Sequence, residues 1–243
     1  MIDIHNHLIP NIDDGSDSLE LSRNLLKEAI EEGITDVLIT PHYMPKGEYR
    51  VKRNELLKLF NEFKSACADL KINLYLGNEL FIDSGLDELI ENNEVCSMND
   101  SQYVLVEFPF ERYKSDYDEY LYNISLSHKI IIAHPERYQY VKDDHDFVKR
   151  WLSNGYYLQA NQTFRFSKTE KKVVFDLIEK GRLHFIASDA HSEYRPLHLK
   201  SCYELIERKF SKETADYLFT INPGNVIYNK KINRLKPVKK RLF

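Results

Sequence analysis

Asp3-Ile4-His5-Asn6-His7 places two imidazoles on an apolar, extended-looking segment at the start of the chain. Alternate side chains of a strand share a face, so His5 and His7 are predicted to point the same way, with Asp3 beside them, close enough to hold one metal ion. A lone His-x-His is a weak signal. Its company strengthens it, because four further strand-like runs end on residues able to ligate a metal: Ile39-Thr40-Pro41-His42, Leu76-Gly77-Asn78-Glu79, Ile132-Ala133-His134 and Ala187-Ser188-Asp189-Ala190-His191. A fifth, Val104-Leu105-Val106-Glu107, ends the same way.

Helical patterns lie between these runs. Asp17 and Glu20 read as a capping box opening a helix whose buried stripe is Leu21, Leu25, Ala29 and Ile30, stopped by Gly33. Leu57, Phe60, Phe63, Cys67 and Leu70 recur at helical spacing over about 54–70, and more helices are predicted around 142–154 and 168–180. Strands are predicted for the first segment and for 34–40, 72–76, 103–107, 129–133, 156–160 and 184–188. Seven strands alternating with helices imply an α/β fold with a parallel sheet and right-handed crossovers. A length of 243 residues suits a single barrel domain covering 1–243. In such barrels the chemistry sits at the carboxyl ends of the strands, which is where these ligand-type residues fall.

With 34 basic and 38 acidic residues the net charge is -4, and nothing global suggests attraction to nucleic acid. The exception is a basic tail from about 230, containing Lys230, Lys231, Arg234, Lys236, Lys239, Lys240 and Arg241. It reads either as a solvated terminus or as a segment for peripheral docking to a membrane surface or an acidic partner. Cys67, Cys96 and Cys202 are odd in number and show no zinc-type spacing, which fits a reducing compartment. The start lacks a signal-peptide pattern and no apolar run is long enough to span a bilayer, so a cytoplasmic protein without a transmembrane segment is expected.

The candidate ligands are His5, His7, Asp14, His42, Glu79, Glu107, His134, Asp189 and His191. Manganese, iron and zinc accept such a mixture of imidazole and carboxylate, and the lack of thiolates argues against a structural zinc. Nine ligands exceed the needs of one ion and suit two or three.

The motifs Asp3 to His7, Asp13-Asp14-Gly15, Thr40-Pro41-His42, Gly77-Asn78-Glu79, His134-Pro135-Glu136-Arg137-Tyr138 and Ser188 to His191 span most of the chain in order. On them the chain resembles the polymerase-and-histidinol-phosphatase (PHP) superfamily, and most closely the bacterial metal-dependent protein-tyrosine phosphatases of the CpsB/CapC/YwqE type, from capsule and exopolysaccharide operons. The resemblance implies a distorted (β/α)7 barrel and three divalent ions, manganese foremost, with iron, zinc or magnesium as alternatives. It implies that His5, His7 and Asp189 bind the first ion, that Glu79 bridges to a second completed by Glu107 and His134, and that Asp14, His42 and His191 bind the third. It also implies a partner, the phosphotyrosine-bearing tail of a bacterial tyrosine kinase. The stretch Gln159 to Arg165 departs from the pattern, lacking the small, Gly-containing segment expected after the sixth strand, and its role at the site is left open.

Phosphate-ester hydrolysis fits these residues. Divalent ions depress the pKa of water, making hydroxide available near neutral pH, and clamp phosphoryl oxygens for in-line attack. Arg137 and Arg195 are the basic residues nearest the ligand motifs, and a guanidinium fork matches a phosphate dianion. Their structural alternatives are an ion pair of Arg137 with Glu136 or Asp143 and a turn-capping role for Arg195. The aromatic stretch from Phe108 to Tyr122 is expected either to pack over the barrel mouth or to wall the site for a phenyl ring. Cys202 and Arg208 have the spacing of cysteine-dependent phosphatases, but no glycine lies between them and the run reads as helix, so catalysis by Cys202 is not expected. The alternative substrate is a small phosphate ester such as histidinol phosphate. An amidohydrolase reading lacks the strand-end lysine that would form its bridging carbamate, and a non-catalytic phosphoprotein-binding module would be expected to have lost ligands.

Overall fold

The computed structural model describes residues 1–241. Nine short strands appear: β1 (Ile2–Asp3), β2 (Asp36–Ile39), β3 (His42–Tyr43), β4 (Asn73–Leu76), β5 (Glu79–Phe81), β6 (Tyr103–Glu107), β7 (Lys129–Ala133), β8 (Tyr157–Asn161) and β9 (Phe185–Ala187). The helices are α1 (Leu19–Glu31), α2 (Arg53–Ala66), α3 (Leu86–Glu91), α4 (Asp116–Ser125), α5 (Gln139–Asp143), α6 (Val148–Ser153), α7 (Lys168–Glu179), α8 (Lys200–Lys209), α9 (Lys212–Asp216) and α10 (Asn222–Ile227).

All seven predicted strands are present. β3 and β5 prolong β2 and β4 after breaks at Thr40-Pro41 and Gly77-Asn78. Every ladder is parallel, in the orders β1-β2-β4 and β3-β5-β6-β7-β8-β9. The two sheets meet at both seams. On one side Gly77 N–H donates to Ile39 O and Glu79 N–H to Pro41 O; on the other His7 N–H donates to Ala190 O and Asp189 N–H to His5 O, with a parallel bridge between Asn6 and Ala190. The strands thus follow one another round a distorted barrel.

Strand alternation sorts the apolar residues into two cores. Ile4, Leu38, Tyr103, Leu105, Ile131, Ala133, Phe185 and Ala187 fill the interior, closed below by Val226, Ile227 and Ile232. The opposite phase, with Val37, Ile39, Val104, Val106, Ile130, Ile132, Leu158 and Ile186, packs under the helices. Because inward residues recur every second position, the next inward residue beyond β6 Tyr103 and Leu105 is Glu107, and beyond β9 Phe185 and Ala187 it is Asp189. Glu107 and Asp189 thus sit on top of the barrel core.

Two expectations are corrected. The cap of α1 is Ser18, which accepts from Leu21 N–H, and not Asp17; the helix starts one residue later than the capping-box reading requires. The basic tail is not a free solvated terminus. Tyr103 Oη donates to Lys230 O, Val238 N–H donates to Glu179 O, and Leu235 and Val238 pack against the core. Gly181 permits this course, since a Cβ there would lie 2.4 Å from Leu235 O. The lysines of the tail remain exposed. No helix among the described residues is long and apolar enough to cross a membrane.

Candidate metal centre

The carboxyl ends of the strands open into a cavity of about 200 Å³ lined by all nine predicted ligands except His5 and His7, which lie wholly buried at its base. Glu79 is the hub. Its Oε2 is 3.1 Å from His5 Nε2, 3.3 Å from His7 Nε2 and 3.1 Å from His42 Nδ1, and its Oε1 is 2.9 Å from His134 Nε2. Asp189 Oδ1 is 3.5 Å from nitrogens of His5, His7 and His191. Asp14 Oδ1 faces His42 and His191 at 3.4 and 3.6 Å, and Glu107 Oε1 faces His134 at 3.5 Å. Four overlapping sets have ligand atoms close enough to share an ion: His7, Asp14, His42 and His191; His5, Glu79 and His134; His5, His7 and Asp189; and His42, Glu79 and Glu107. His7 thus reaches the third set as well as the first.

Backbone geometry aims these side chains. His134 has φ 31° and Asp189 φ 53°, both in the left-handed region that costs about 1–3 kcal/mol for such residues. Ile131 and Ala133 already point inward, so a regular strand would turn residue 134 outward; the positive φ brings its ring back over the barrel. Gly15 is needed by close approach, because a Cβ there would meet His7 O at 2.2 Å and His7 Cβ at 2.4 Å.

A supporting layer fixes the ring nitrogens. His7 Nδ1 is 2.7 Å from Asp13 Oδ2, which also accepts from His42 N–H at 2.9 Å, so the Nδ1 side is occupied and Nε2 faces the cavity base. His5 Nδ1 is 2.8 Å from Gln159 Oε1, with the same consequence. Asp189 Oδ2 accepts from Asn161 Nδ2 at 2.5 Å, Arg137 at 3.2 Å and Arg195 at 2.5 Å, which leaves Oδ1 to the histidines. Asp13, Gln159 and Asn161 were not among the predicted site residues. A signal existed for the last two: Tyr157, Gln159 and Asn161 share the inward phase of β8, and polar residues there need partners. The stretch whose role the sequence leaves open thus contributes Gln159 and Asn161 to the site.

The donor set fits divalent cations. His5 Nε2 and His7 Nε2 converge to 3.3 Å of one another beside the carboxylates of Glu79 and Asp189, and His42 Nδ1 is buried without a hydrogen-bond partner. Burial, then the charges of Glu79 and Asp189, push the Glu107 carboxyl well above its usual range. Against its own burial, His5, His42 and His134 hold Glu79 well below it. Buried negative charge gathered on one face calls for positive charge.

Arg137 and Arg195 both line the cavity and share Asp189 Oδ2; Arg137 pairs with neither Glu136 nor Asp143. Of the aromatic stretch only Phe108, Pro109 and Phe110 line this cavity, with Arg137 stacked 4.4 Å over the ring of Phe110. Tyr113 and Tyr117 turn away into a cluster with Phe108, Tyr140, Phe147 and Trp151, so most of the stretch is packing, while Tyr122 is exposed. Cys202 lies in α8, fully buried, and burial pushes its thiol up to about 12.

Comparison with known proteins agrees with this geometry. The chain is 33% identical over 249 residues to CapC of Staphylococcus aureus, covering 98% of this chain and 95% of the relative. It is 28% identical to the tyrosine-protein phosphatase YwqE of Bacillus subtilis, covering 99% and 98%. In three dimensions it matches a structure from the work on YwqE and on CpsB of Streptococcus pneumoniae, described as unique metal-dependent tyrosine phosphatases, with a TM-score of 0.91, 26% identity and 100% of both chains covered. The phosphotriesterase homology protein of Escherichia coli shares the fold alone, with a TM-score of 0.60 at 11% identity over 93% of this chain and 97% of that one. Residues 1–228 match the family described as capsular polysaccharide synthesis, CpsB/CapC, and the chain belongs to it.

Proposed function

We propose that the chain hydrolyses phosphotyrosine in proteins in a metal-dependent reaction, as one phosphatase domain, and that its natural substrate is the tail of a membrane tyrosine kinase controlling capsule or exopolysaccharide synthesis. The observation that carries this reading is the convergence of nine ligand-type side chains and two arginines on one cavity with an aromatic edge. His5, His7, Asp14, His42, Glu79, Glu107, His134, Asp189 and His191 hold two or three ions. Manganese is the ion expected from imidazole and carboxylate without thiolate. Bound ions supply Lewis-acid polarisation of the phosphoryl group and lower the pKa of water.

The chain's own groups do the rest. Arg137 and Arg195 orient Asp189 through Oδ2, and both line the cavity, where a phosphate dianion would accept hydrogen bonds from their guanidinium groups. Phe110 is 37% exposed beside the cavity, held by Arg137, and offers a face to the phenyl ring. Such an aromatic contact is worth about 0.5–1.5 kcal/mol beyond area burial. A phenol leaves with a pKa near ~10, so little is asked of a general acid. The exposed lysines of the tail supply a basic surface for peripheral docking near that kinase, and the three free cysteines support a cytoplasmic setting.

The deciding experiment measures kcat/KM with manganese for a phosphotyrosine peptide, a phosphoserine peptide and histidinol phosphate. The phosphotyrosine peptide should lead by a wide margin, and Arg195→Ala should cost at least about tenfold. Equal or better turnover of histidinol phosphate would move the assignment to small-molecule phosphatase.

A further inference from the structure

A second groove, of about 370 Å³, lies beside the metal cavity. Phe81 and Pro109 line both, so one layer of side chains separates them. The groove runs between β5 and the start of α4. Its apolar lining includes Ile82 and Tyr117, both buried, and the half-buried Tyr120. The charges at its rim are mixed: Arg112 and Lys114 stand against Glu111 and Asp116, and Asp83 is already held by Lys46 at 2.9 Å. Among the described residues Arg112 and Lys114 make no ion pair, and the Tyr120 hydroxyl makes no hydrogen bond.

We propose that this groove is a substrate subsite, taking an apolar side chain two residues from the phosphotyrosine in an extended segment. The proposal rests on reading the metal cavity as a phosphotyrosine site. In an extended chain residues i and i+2 project to the same side about 7 Å apart, which suits two adjoining pockets divided by the edges of Phe81 and Pro109. An apolar lining under a rim of mixed charge favours an aliphatic or aromatic side chain over a charged one. The donors of Arg112 and Tyr120, and the ammonium of Lys114 held only over the Tyr117 ring at 5.9 Å, stand where the carbonyl groups of such a segment need partners. A small aryl phosphate fills the metal cavity without entering the groove, so the groove separates peptide from small-ester recognition.

The test uses the manganese-loaded full chain, p-nitrophenyl phosphate, and phosphotyrosine peptides with Leu or Gly two residues before or two residues after the phosphotyrosine. One of the two positions should show about a tenfold preference for Leu, expressed in KM, of the order expected for burying one aliphatic side chain. Tyr120→Ala should erase that preference and leave p-nitrophenyl phosphate turnover within twofold, which also reports that the variant is folded; Tyr120→Phe should keep it. No preference at either position, or one that survives Tyr120→Ala, overturns the subsite alone. Failure to turn over any of the esters overturns the phosphatase reading, and the subsite with it.

Discussion

Gln159→Leu should weaken metal binding without touching a metal ligand. His5 is wholly buried, and its Nδ1 is satisfied only by Gln159 Oε1 at 2.8 Å. That contact holds the proton on Nδ1 and leaves the Nε2 lone pair toward Glu79 and Asp189, 3.1 and 3.5 Å away. Leucine removes the acceptor and strands a buried N–H, a loss of about 1–3 kcal/mol. The ring can recover part of this by moving its proton to Nε2, where it bonds Glu79 and competes with a cation. Both routes penalise the loaded state, and losses of roughly 10–100-fold in metal affinity are typical when such a partner is removed. The assay is metal content and apparent affinity against a competing chelator, with thermal unfolding of the chelated protein as a control for folding. Affinity within twofold of the parent chain in a folded variant would refute the reasoning.

Cys202→Ser, and the triple variant with Cys67→Ser and Cys96→Ser, should retain kcat within a few-fold and lose on the order of 1–2 kcal/mol of stability by denaturant titration for each fully buried thiol; abolished turnover in a folded Cys202→Ser protein would restore thiol chemistry. His5→Ala or Asp189→Ala should remove both bound metal, by elemental analysis, and activity; full activity in metal-free protein would contradict the assignment. His184 is fully buried and accepts Leu158 N–H through Nδ1 at 3.1 Å, and burial, helped by Arg234, lowers its pKa to about 3. Between the unfolded value of 6.5 and about 3 the unfolded chain therefore binds the extra proton, so this residue makes stability fall as pH falls through that window, by up to roughly 1.4 kcal/mol per pH unit, and has no effect above it. In chelated protein His184→Asn should flatten the decline of Tm between pH 6.5 and 5, and an unchanged slope would disprove it.

What the sequence reveals of this protein follows from which features repeat. The seven strands and the ligand-type residue that ends six of them are legible because apolar runs and their polar terminators recur with one spacing logic; the sixth strand ends on Asn161 instead. Asp13 was missed because it adjoins Asp14, and sequence alone cannot say which of two neighbouring carboxylates faces a cavity and which reaches back to His7 Nδ1. Gln159 and Asn161 are hidden because the conspicuous feature of the loop is the glycine it lacks, whereas only the phase of the strand before it shows that both face inward. The inward turn of His134 is a departure from strand geometry, held by the surrounding bonds and invisible in residue type. The course of the tail is hidden for a related reason: its lysines dominate its composition, whereas Ile232, Leu235 and Val238 decide where it lies. A charge-rich segment still packs when an apolar residue every third position meets a waiting surface, and here the barrel floor and the Gly181 corner provide one.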